Sequence, residues 1–386
     1  MADSELIVST SVLEAVVDEA MEHDRYAIDT EFHRERTYYA QVALVQLGYG
    51  DRVALIDGLH CDLSPLSALF ESSSTAVIHA GRQDLEIFDR SIGMCPKRLI
   101  DTQIVASFVG YSTASLASLL DREMNISLPK GDRLTDWMKR PLSTRQLEYA
   151  ANDVAHLVEL SRRLDVQIDQ MNRRAWVDDA LKECLREPRT PRKPDEAWVK
   201  IKEVRQLKGQ SLAIAQALAE WREVRAQQRD VPVRHIMSDL AIAAIASARP
   251  TNAESLSKLR GVDGGALRHV TGEILTIVAT TKTDDMRTAP DLMVREVERE
   301  LKPVIALVTA WCAQASRSLK IDPAILATRA DIEGFLRGDS ENRLRTSWRY
   351  EVLGSQLDAL MLGQTAVRFE RGVGLELVDL SHHAAD

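Results

Sequence analysis

Residues 27–48, AIDTEFHRERTYYAQVALVQLG, place two carboxylates, Asp29 and Glu31, inside a stretch that otherwise predicts a buried strand. Side chains alternate between the two faces of a strand, so Asp29 and Glu31 share one face while Ile28 and Thr30 occupy the other. Like charges side by side repel each other, and burying them without a partner is costly. The pattern therefore predicts that something positively charged binds between the two carboxylates.

The composition is that of an ordinary globular protein. The chain has 386 residues, enough for two or three domains, and is 45% hydrophobic and 28% charged. The longest apolar run, Leu240–Ala246, is far shorter than the roughly 20 residues that span a membrane. The first residues, MADSELIV, lack the features of a secretory signal, and the four cysteines are scattered without a C-x-x-C pair. We therefore expect a cytoplasmic protein with reduced thiols and no membrane partner.

The charge is unevenly distributed along the chain. The formal net charge is −9, which by itself argues against a polyanionic partner. Residues 186–234, however, contain twelve Lys and Arg against seven Asp and Glu, a local excess of five positive charges. The local sign matters more for association than the global sum. This stretch is either a nucleic-acid-binding surface or a solvated linker and helix face.

The first half of the chain alternates strand and helix patterns. Ser143 and Gln146 form a capping box that opens a long helix, predicted over Thr144–Val166. Shorter helices are predicted near Pro65–Glu71 and Asp84–Ile92. The predicted strands are Tyr26–Phe32, Val42–Leu47, Val53–Asp57, Ala76–His79 and Leu99–Asp101. Three successive strands followed by β-α-β alternation predict an α/β domain with a mixed sheet flanked by helices.

A charged segment with three prolines, Arg186–Trp198, is the clearest domain boundary. Beyond it strand patterns vanish, and short helices are predicted. A weak repeat is visible there: Trp221 and Pro232 are followed by an apolar helix, and so are Trp311 and Pro323. We therefore predict two small all-α modules after the α/β domain. The predicted divisions are 1–185 for the α/β domain, 186–202 for a basic proline-rich linker, and 203–283 and 290–375 for the two helical modules.

Two further motifs add oxygen ligands to the pair on the strand. Asp84 stands in the first turn of a predicted helix, where a carboxylate alone is typical of helix capping. Tyr149 and Asp153 lie one turn apart on the long helix, where a plain hydrogen bond between them would suffice. Together with Asp29 and Glu31 they form an oxygen-rich set that suits Mg²⁺ or Mn²⁺. Two such ions about 3.5–4 Å apart make a phosphoryl-transfer site.

The order D-x-E, H-A-x-x-x-D and Y-x-x-x-D resembles the tyrosine-bearing branch of the DEDD exonuclease superfamily. The histidine-bearing branch would need a histidine five residues before Asp153, where this chain has Glu148. Further segments, DTEFHRERTYY, LIDTQI and RLTDWMKRPLSTRQLEYAANDV, resemble the ribonuclease D family. The two helical modules are similar to HRDC domains, the first more so than the second.

This resemblance implies a ribonuclease H-like fold and a metal-dependent 3′→5′ exoribonuclease. Such an enzyme would trim RNA 3′ ends, especially those of transfer RNA precursors, and release nucleoside 5′-monophosphates with two divalent ions, Mg²⁺ or Mn²⁺. Carried over by position, Asp29, Glu31 and Asp153 would hold one ion, and Asp29 and Asp84 the other. Tyr149 would orient the attacking water and would not be the base, because a phenol with an ordinary pKa of about 10 stays protonated. We expect a monomer.

Two rival functions remain open on the sequence. The first is a 3′→5′ exonuclease that acts on DNA, because no motif here reads a 2′-hydroxyl. The second is a catalytically silent RNA-binding protein, against which the full carboxylate set argues. We also expect the helical half to position structured RNA. If so, the chain up to about Arg186 should fold by itself, because few core contacts should cross the polar boundary.

Overall fold

The structure is a computed structural model that describes residues 3–129, 135–189, 193–263, 265, 268–287 and 300–380. These residues fall into two compact units. The larger unit comprises Met1–Glu31, Val42–Pro188 and Glu296–Asp386, and the smaller unit comprises Phe32–Gln41 and Arg189–Arg295.

A mixed β-sheet is the centre of the larger unit. Its described strands are β1 (Asp3–Ile7), β2 (Arg25–His33), β3 (Gln41–Tyr49), β4 (Arg52–Asp57), β5 (Thr75–Ile78) and β6 (Leu99–Asp101). They lie in the order β1-β4-β3-β2-β5-β6. Strands β3 and β4 are antiparallel, whereas β1 pairs with β4, and β5 with β2 and β6, in parallel. The predicted mixed sheet is thus confirmed, with an edge strand, β1, that the sequence analysis did not identify.

Helices flank this sheet. They are α1 (Thr10–Met21), α2 (Leu66–Glu71), α3 (Arg82–Ser91), α4 (Thr102–Ser107), α5 (Leu116–Met124), α6 (Thr144–Ala155), α7 (Leu157–Gln170) and α8 (Arg174–Arg186). Helix α6 packs closely on the sheet. A Cβ atom at Gly48 of β3 would lie only 3.2 Å from the carbonyl oxygen of Val154 in α6, so a glycine suits this position. Nowhere in the described ranges does a helix combine the length and the apolar composition required to cross a membrane.

The long helix predicted over Thr144–Val166 is two helices in the structure. The predicted capping box of Ser143 and Gln146 is present and opens α6. At His156 the backbone has φ −116° and ψ −1°, which ends α6 and separates it from α7. The apolar stripe continues across this break, so the periodicity alone could not reveal it.

The smaller unit is built around one long helix. Its described helices are α9 (Gly209–Arg229), α10 (Val233–Ile236), α11 (Asp239–Ala248), α12 (Ala253–Ser257) and α13 (Thr271–Thr280), with short 3₁₀ helices at Pro194–Lys200, Lys202–Gln206, Arg268–Val270 and Thr283–Asp285. Trp198, Ile201 and Val204 are buried in the same core as α9. Part of the predicted linker 186–202 therefore packs into this helical module, while residues 190–192 lie outside the described residues.

The C-terminal part of the larger unit contains helices and a hairpin. The described helices are α14 (Leu301–Leu319), α15 (Pro323–Leu326), α16 (Arg329–Leu336), α17 (Ser347–Arg349) and α18 (Ser355–Met361), with a 3₁₀ helix at Arg343–Arg345 and a π-helical turn at Tyr350–Gly354. Strands β7 (Thr365–Glu370) and β8 (Gly374–Asp379) then form an antiparallel hairpin. The prediction that no strand follows the boundary is wrong here, because short alternating segments around Gly372 and Gly374 were not recognised as strands. Residues 288–299, where the second module was predicted to begin, lie outside the described residues.

The predicted repeat is visible as three helices in the same order. In each copy a long helix, α9 or α14, ends at a residue in the left-handed conformation, Asp230 or Lys320. A four-residue helix and a further buried helix follow, α10 and α11 in one copy and α15 and α16 in the other. The two copies nevertheless belong to different units.

The second copy shares a core with the α/β domain. Trp348 is buried against Phe108 and Trp176, with ring centroids 5.1 and 5.4 Å away. Asp322 donates its backbone N–H to the carbonyl of Ser107, at 2.9 Å. Many core contacts therefore cross from residues 300–380 to the α/β domain. The expectation that residues up to about Arg186 fold by themselves is at odds with this packing.

Candidate active site

Strand β2 carries the centre of the candidate site. Asp29 and Glu31 lie on β2 and are partly buried, while Ile28 and Thr30, on the other face, are fully buried. Restricted solvation raises the pKa of Asp29 well above its usual value, and the nearby carboxylates of Asp84, Asp153 and Glu31 raise it further, in that order. The fold thus brings the carboxylates of Asp84, Asp153 and Glu31 close enough to Asp29 for their charges to affect its pKa.

Asp84 lies in the first turn of α3, as predicted, and its side chain is buried. The hydroxyl of Thr30 donates a hydrogen bond to Asp84 Oδ1. Burial raises the pKa of Asp84 to about 6, although the hydrogen bond from Thr30 acts in the opposite direction. A carboxyl that is half-protonated at about pH 6 is unusual for an aspartate, and the main cause here is burial.

A second buried carboxylate fixes the turn before α3. Asp101 accepts hydrogen bonds from the backbone N–H groups of Ala80 and Gly81, both at 3.0 Å, and from Gln103 at 2.9 Å. Ala80 has the left-handed φ of 55°, and a Cβ at Gly81 would lie 2.2 Å from the side chain of Ile78. Asp101 therefore caps α4 and at the same time holds the sharp turn that aims α3, and with it Asp84.

Tyr149 and Asp153 lie one turn apart on α6, on the side of the helix that is partly buried. The indole of Trp137 lies beside the phenol ring of Tyr149, with centroids 6.0 Å apart and a 40° angle between the planes. Trp137 is buried and lies in the segment just before α6. The orientation of the Tyr149 ring thus depends on where that segment is held.

An ion pair anchors the segment. Arg140 donates Nε to Asp57 Oδ2 at 2.6 Å and Nη2 to Asp57 Oδ1 at 2.7 Å, a two-point contact with a buried carboxylate at the end of β4. The same guanidinium donates to the carbonyls of Ala43, at 2.8 Å, and Trp137, at 2.7 Å. Burial alone would raise the pKa of Asp57, but the hydrogen bonds from Arg140 hold it below its usual value. Arg140 therefore ties the sheet to the turn that carries Trp137.

The donor set suits a hard divalent cation. The converging groups are carboxylates, which Mg²⁺ and Mn²⁺ prefer, and they crowd negative charge around Asp29. A divalent cation would relieve the repulsion that raises the pKa of Asp29. As they are now arranged, no three or more Asp, Glu, His or Cys side chains of the described ranges could hold a metal ion. Oδ1 of Asp84 accepts the hydrogen bond from Thr30, which fixes one of the two carboxylate oxygens.

Several supporting residues were not identified from the sequence. Thr30 lies between Asp29 and Glu31 in the sequence, but strand alternation places its side chain on the other face of β2, so the pattern does not mark it as a site residue. Asp101, Trp137 and Arg140 lie within segments quoted for the family resemblance, but no spacing rule links them to the site. His79 directly follows β5, and its Nδ1 lies 2.9 Å from Thr102 Oγ1.

Two protein families match parts of the chain. Residues 5–169 match the 3′-5′ exonuclease family. Residues 211–278 match the HRDC domain family. The first match contains all five predicted site residues, and the second lies within the first predicted helical module.

Similar proteins extend over nearly the whole chain. A protein from Zymomonas mobilis named ribonuclease D is 32% identical, and the alignment covers 97% of this chain and 98% of that protein. Ribonuclease D of Escherichia coli is 33% identical, with 92% of this chain and 98% of that protein covered. The crystal structure of E. coli RNase D, described as an exoribonuclease involved in structured RNA processing, superposes with a TM-score of 0.84 at 30% identity. That superposition covers 94% of this chain and 99% of the crystallised chain.

Proposed function

Because the chain belongs to the ribonuclease D family and is therefore a 3′→5′ exoribonuclease, we propose that it trims the 3′ ends of transfer RNA precursors and other small structured RNAs. It would release nucleoside 5′-monophosphates, depend on two divalent metal ions and act in the cytoplasm. The observation that carries this proposal is the crowding of Asp84, Asp153 and Glu31 around the partly buried Asp29. Such crowding destabilises the metal-free protein and suits a site that binds cations.

The carboxylates would divide the metal ions between them. Asp29, Glu31 and Asp153 would hold one ion, and Asp29 together with Asp84 would hold the other. Bound divalent ions would lower the pKa of a water molecule and stabilise negative charge on the phosphate. The strand and the two helices supply ligands from three directions, so the site exists only when β2, α3 and α6 are packed together.

Tyr149 would orient the attacking water by a hydrogen bond. Its ring is held from the side by Trp137, which restricts the direction in which the hydroxyl points. A fixed hydroxyl is suited to orienting a nucleophile and poorly suited to accepting its proton, because a neutral phenol is a weak base. The proton would therefore leave to a group other than Tyr149.

The basic stretch would contact the phosphates of the RNA. Not all of its twelve positive charges are available, since Arg222 is buried and paired with Asp239 at 2.6 Å, and Arg225 is paired with Glu273 at 2.8 Å. Among the exposed ones, four lie on the consecutive 3₁₀ helices and just after them: Lys200, Lys202, Arg205 and Lys208. We assign these four to phosphate binding, which predicts a salt-sensitive affinity for RNA.

One experiment tests the reaction. A transfer RNA with a 3′ extension is incubated with the full-length protein, with and without Mg²⁺ or Mn²⁺, and the products are sized on a denaturing gel. We expect metal-dependent shortening from the 3′ end, one nucleotide at a time, with 5′-monophosphates released. Asp29→Asn should be inactive. Shortening without metal, or normal turnover by Asp29→Asn, would contradict the two-metal proposal.

A matched pair of substrates tests the choice of nucleic acid. Single strands of identical sequence, one RNA and one DNA, are digested in parallel with the transfer RNA substrate. We expect the RNA to be digested faster. Equal rates would reassign the chain as an exonuclease that does not distinguish the two sugars.

A set of variants tests the RNA-binding surface. Lys200→Ala, Lys202→Ala and Arg205→Ala combined should weaken binding to the transfer RNA and reduce the slope of log affinity against log salt by about 0.7–0.9 per lost contact. The matched control is Arg225→Ala, which removes a positive charge already engaged by Glu273. Equal changes in the salt slope from the control and the triple variant would contradict the assignment.

A further inference from the structure

Thr30 connects two of the chain segments that bring carboxylates to the site. It lies between Asp29 and Glu31 in β2, its side chain is 6% exposed, and its hydroxyl donates to Asp84 Oδ1. The backbone of Thr30 also forms a hydrogen bond with the Asp84 carboxylate. Thr30 thus forms two hydrogen bonds with the Asp84 carboxylate, which lies on α3, whereas the D-x-E pair lies on β2.

The hydroxyl of Thr30 is not needed by the strand itself. Valine has the same shape and a similarly high preference for strands, and a buried valine would leave no polar atom to satisfy. A buried hydroxyl is stabilising only when it is hydrogen-bonded, and here the acceptor is Asp84. The threonine is therefore best explained by what it does for that carboxylate.

Two devices together define the position of Asp84. Asp101 fixes the backbone turn at Ala80 and Gly81, which sets the direction of α3. The turn alone leaves the side-chain torsions of Asp84 free. The hydrogen bond from Thr30 to Oδ1 restricts those torsions.

We propose that Thr30 is a positioning residue of the exonuclease reaction, which holds the Asp84 carboxylate in the orientation that receives the second metal ion. This inference rests on the proposed function, because it takes Asp84 as a ligand of that ion. Residues that hydrogen-bond to metal ligands usually change metal affinity or activity by about 10- to 100-fold when they are mutated. Thr30 should follow that rule although it touches neither the ion nor the RNA.

The test compares Thr30→Val, which removes the hydroxyl and keeps the shape, with Thr30→Ser, which keeps the hydroxyl. Mn²⁺ binding to the full-length, RNA-free protein is measured by isothermal titration calorimetry, and the Mn²⁺ dependence of kcat and KM is measured on short RNA. For Thr30→Val we expect Mn²⁺ affinity at one of the two ions to fall about 10- to 100-fold, and kcat to fall while KM changes little. Thr30→Ser should resemble the wild type in both measurements.

The thermal stability of the metal-free proteins separates positioning from a general structural role. We expect Thr30→Val to lower the unfolding temperature only modestly, since it takes one hydrogen bond from the buried Asp84 carboxylate and keeps the packing, and both measurements are made where the variant is fully folded. If Thr30→Val binds Mn²⁺ and turns over like the wild type, or if Thr30→Ser loses as much as Thr30→Val, the inference is wrong. Should Thr30→Val fail to fold, Thr30→Ala takes its place under the same two criteria.

Asp29→Asn, measured in parallel, keeps this inference distinct from the proposed function. If Asp29→Asn binds Mn²⁺ and degrades RNA normally, the proposed metal site is wrong, and the role of Thr30 is wrong with it. If Asp29→Asn is inactive and Thr30→Val is normal, only the role assigned to Thr30 fails.

Discussion

The indole rings of Trp176 and Trp348 stack on each other, with centroids 5.4 Å apart and planes inclined by 19°. Trp176 lies in α8, at the end of the α/β domain, and Trp348 lies in α17, deep in the C-terminal part of the chain. Beside them, the buried Arg349 donates to Glu183 of α8 at 2.6 Å. The second helical repeat is therefore part of the hydrophobic core that supports the exonuclease site.

Replacing Trp348 with alanine should destabilise the larger unit by about 3–5 kcal/mol, the usual range for a buried tryptophan or phenylalanine. The indole is 3% exposed and packs on both Phe108 and Trp176, so the cavity would open at the junction of the two parts. Urea unfolding followed by circular dichroism measures the change. Phe369→Ala, which truncates an aromatic ring that is 71% exposed on the hairpin, is the control and should change stability little.

A protein shortened to end near Arg186 should aggregate or lose activity on short and structured RNA alike. Removing residues 300–380 would expose the apolar face formed by Phe108 and Trp176, and would leave Arg173 without the carbonyl of Leu319 to which it donates. Size-exclusion chromatography and digestion of a short single-stranded RNA measure both effects. A monomeric shortened protein that still trims that RNA would show that this contact is dispensable.

The sequence indicated the candidate site residues more readily than it indicated the contacts that hold them in place. Asp29, Glu31, Tyr149 and Asp153 could be found because strand and helix periods place them on shared faces, and Asp84 because it follows a strand. The pairing of Asp57 with Arg140 joins residues far apart in the chain, and no local period reveals such a pair.

Domain boundaries were harder to predict for a related reason. The proline-rich segment at Arg186–Trp198 marks a place where the chain is polar and charged. Its composition carries no information about which surface a later segment will cover. The helices from α14 onward return to the α/β domain through Trp348, and only the three-dimensional packing shows it.

The contribution of Asp84 to the stability of the metal-free protein should fall as the pH rises from about 4 to about 6, and Asp84→Asn should remove this part of the pH dependence. Burial raises the pKa of Asp84 to about 6 in the folded chain, whereas an unfolded aspartate has a pKa of about 3.9. The folded state therefore binds more protons in this window, so its stability is full below the unfolded value and is lost as the pH rises through the folded one.

Urea unfolding in EDTA at several pH values measures this effect. The difference in unfolding free energy between wild type and Asp84→Asn should change across the window and be constant above it. A difference that is independent of pH would show that Asp84 has an ordinary pKa.

Tyr149→Phe should slow the chemical step by a factor on the order of 10²–10⁴, the range of a positioned catalytic group. RNA affinity should change little, because the phenyl ring still packs beside Trp137. Single-turnover rates across pH give the measurement. The acid limb of the profile should survive in the variant, since the phenol is not the group that titrates there. Loss of that limb would show that Tyr149 takes part in proton transfer.

Arg140→Gln should destabilise the protein by up to about 3–5 kcal/mol, because it removes the two-point ion pair of the buried Asp57 carboxylate, which would keep only the hydrogen bond from the Leu59 N–H and the contact with His60. Arg140 forms a two-point contact with Asp57 at 2.6 and 2.7 Å and also donates to the carbonyl of Trp137. The exposed pair of Arg52 and Glu19 offers a matched control, in which Arg52→Gln should change stability little.

The same substitution should act on catalysis through Tyr149. Without Arg140 the turn that carries Trp137 is no longer tied to the sheet, so the Tyr149 ring loses the neighbour that lies 6.0 Å from it. At a temperature where Arg140→Gln is fully folded, kcat should fall while RNA affinity is retained. Combining Arg140→Gln with Tyr149→Phe should then cost less than the sum of the two single changes, because both act on one hydroxyl. Strictly additive losses would mean that Arg140 supports the fold and has no part in placing Tyr149.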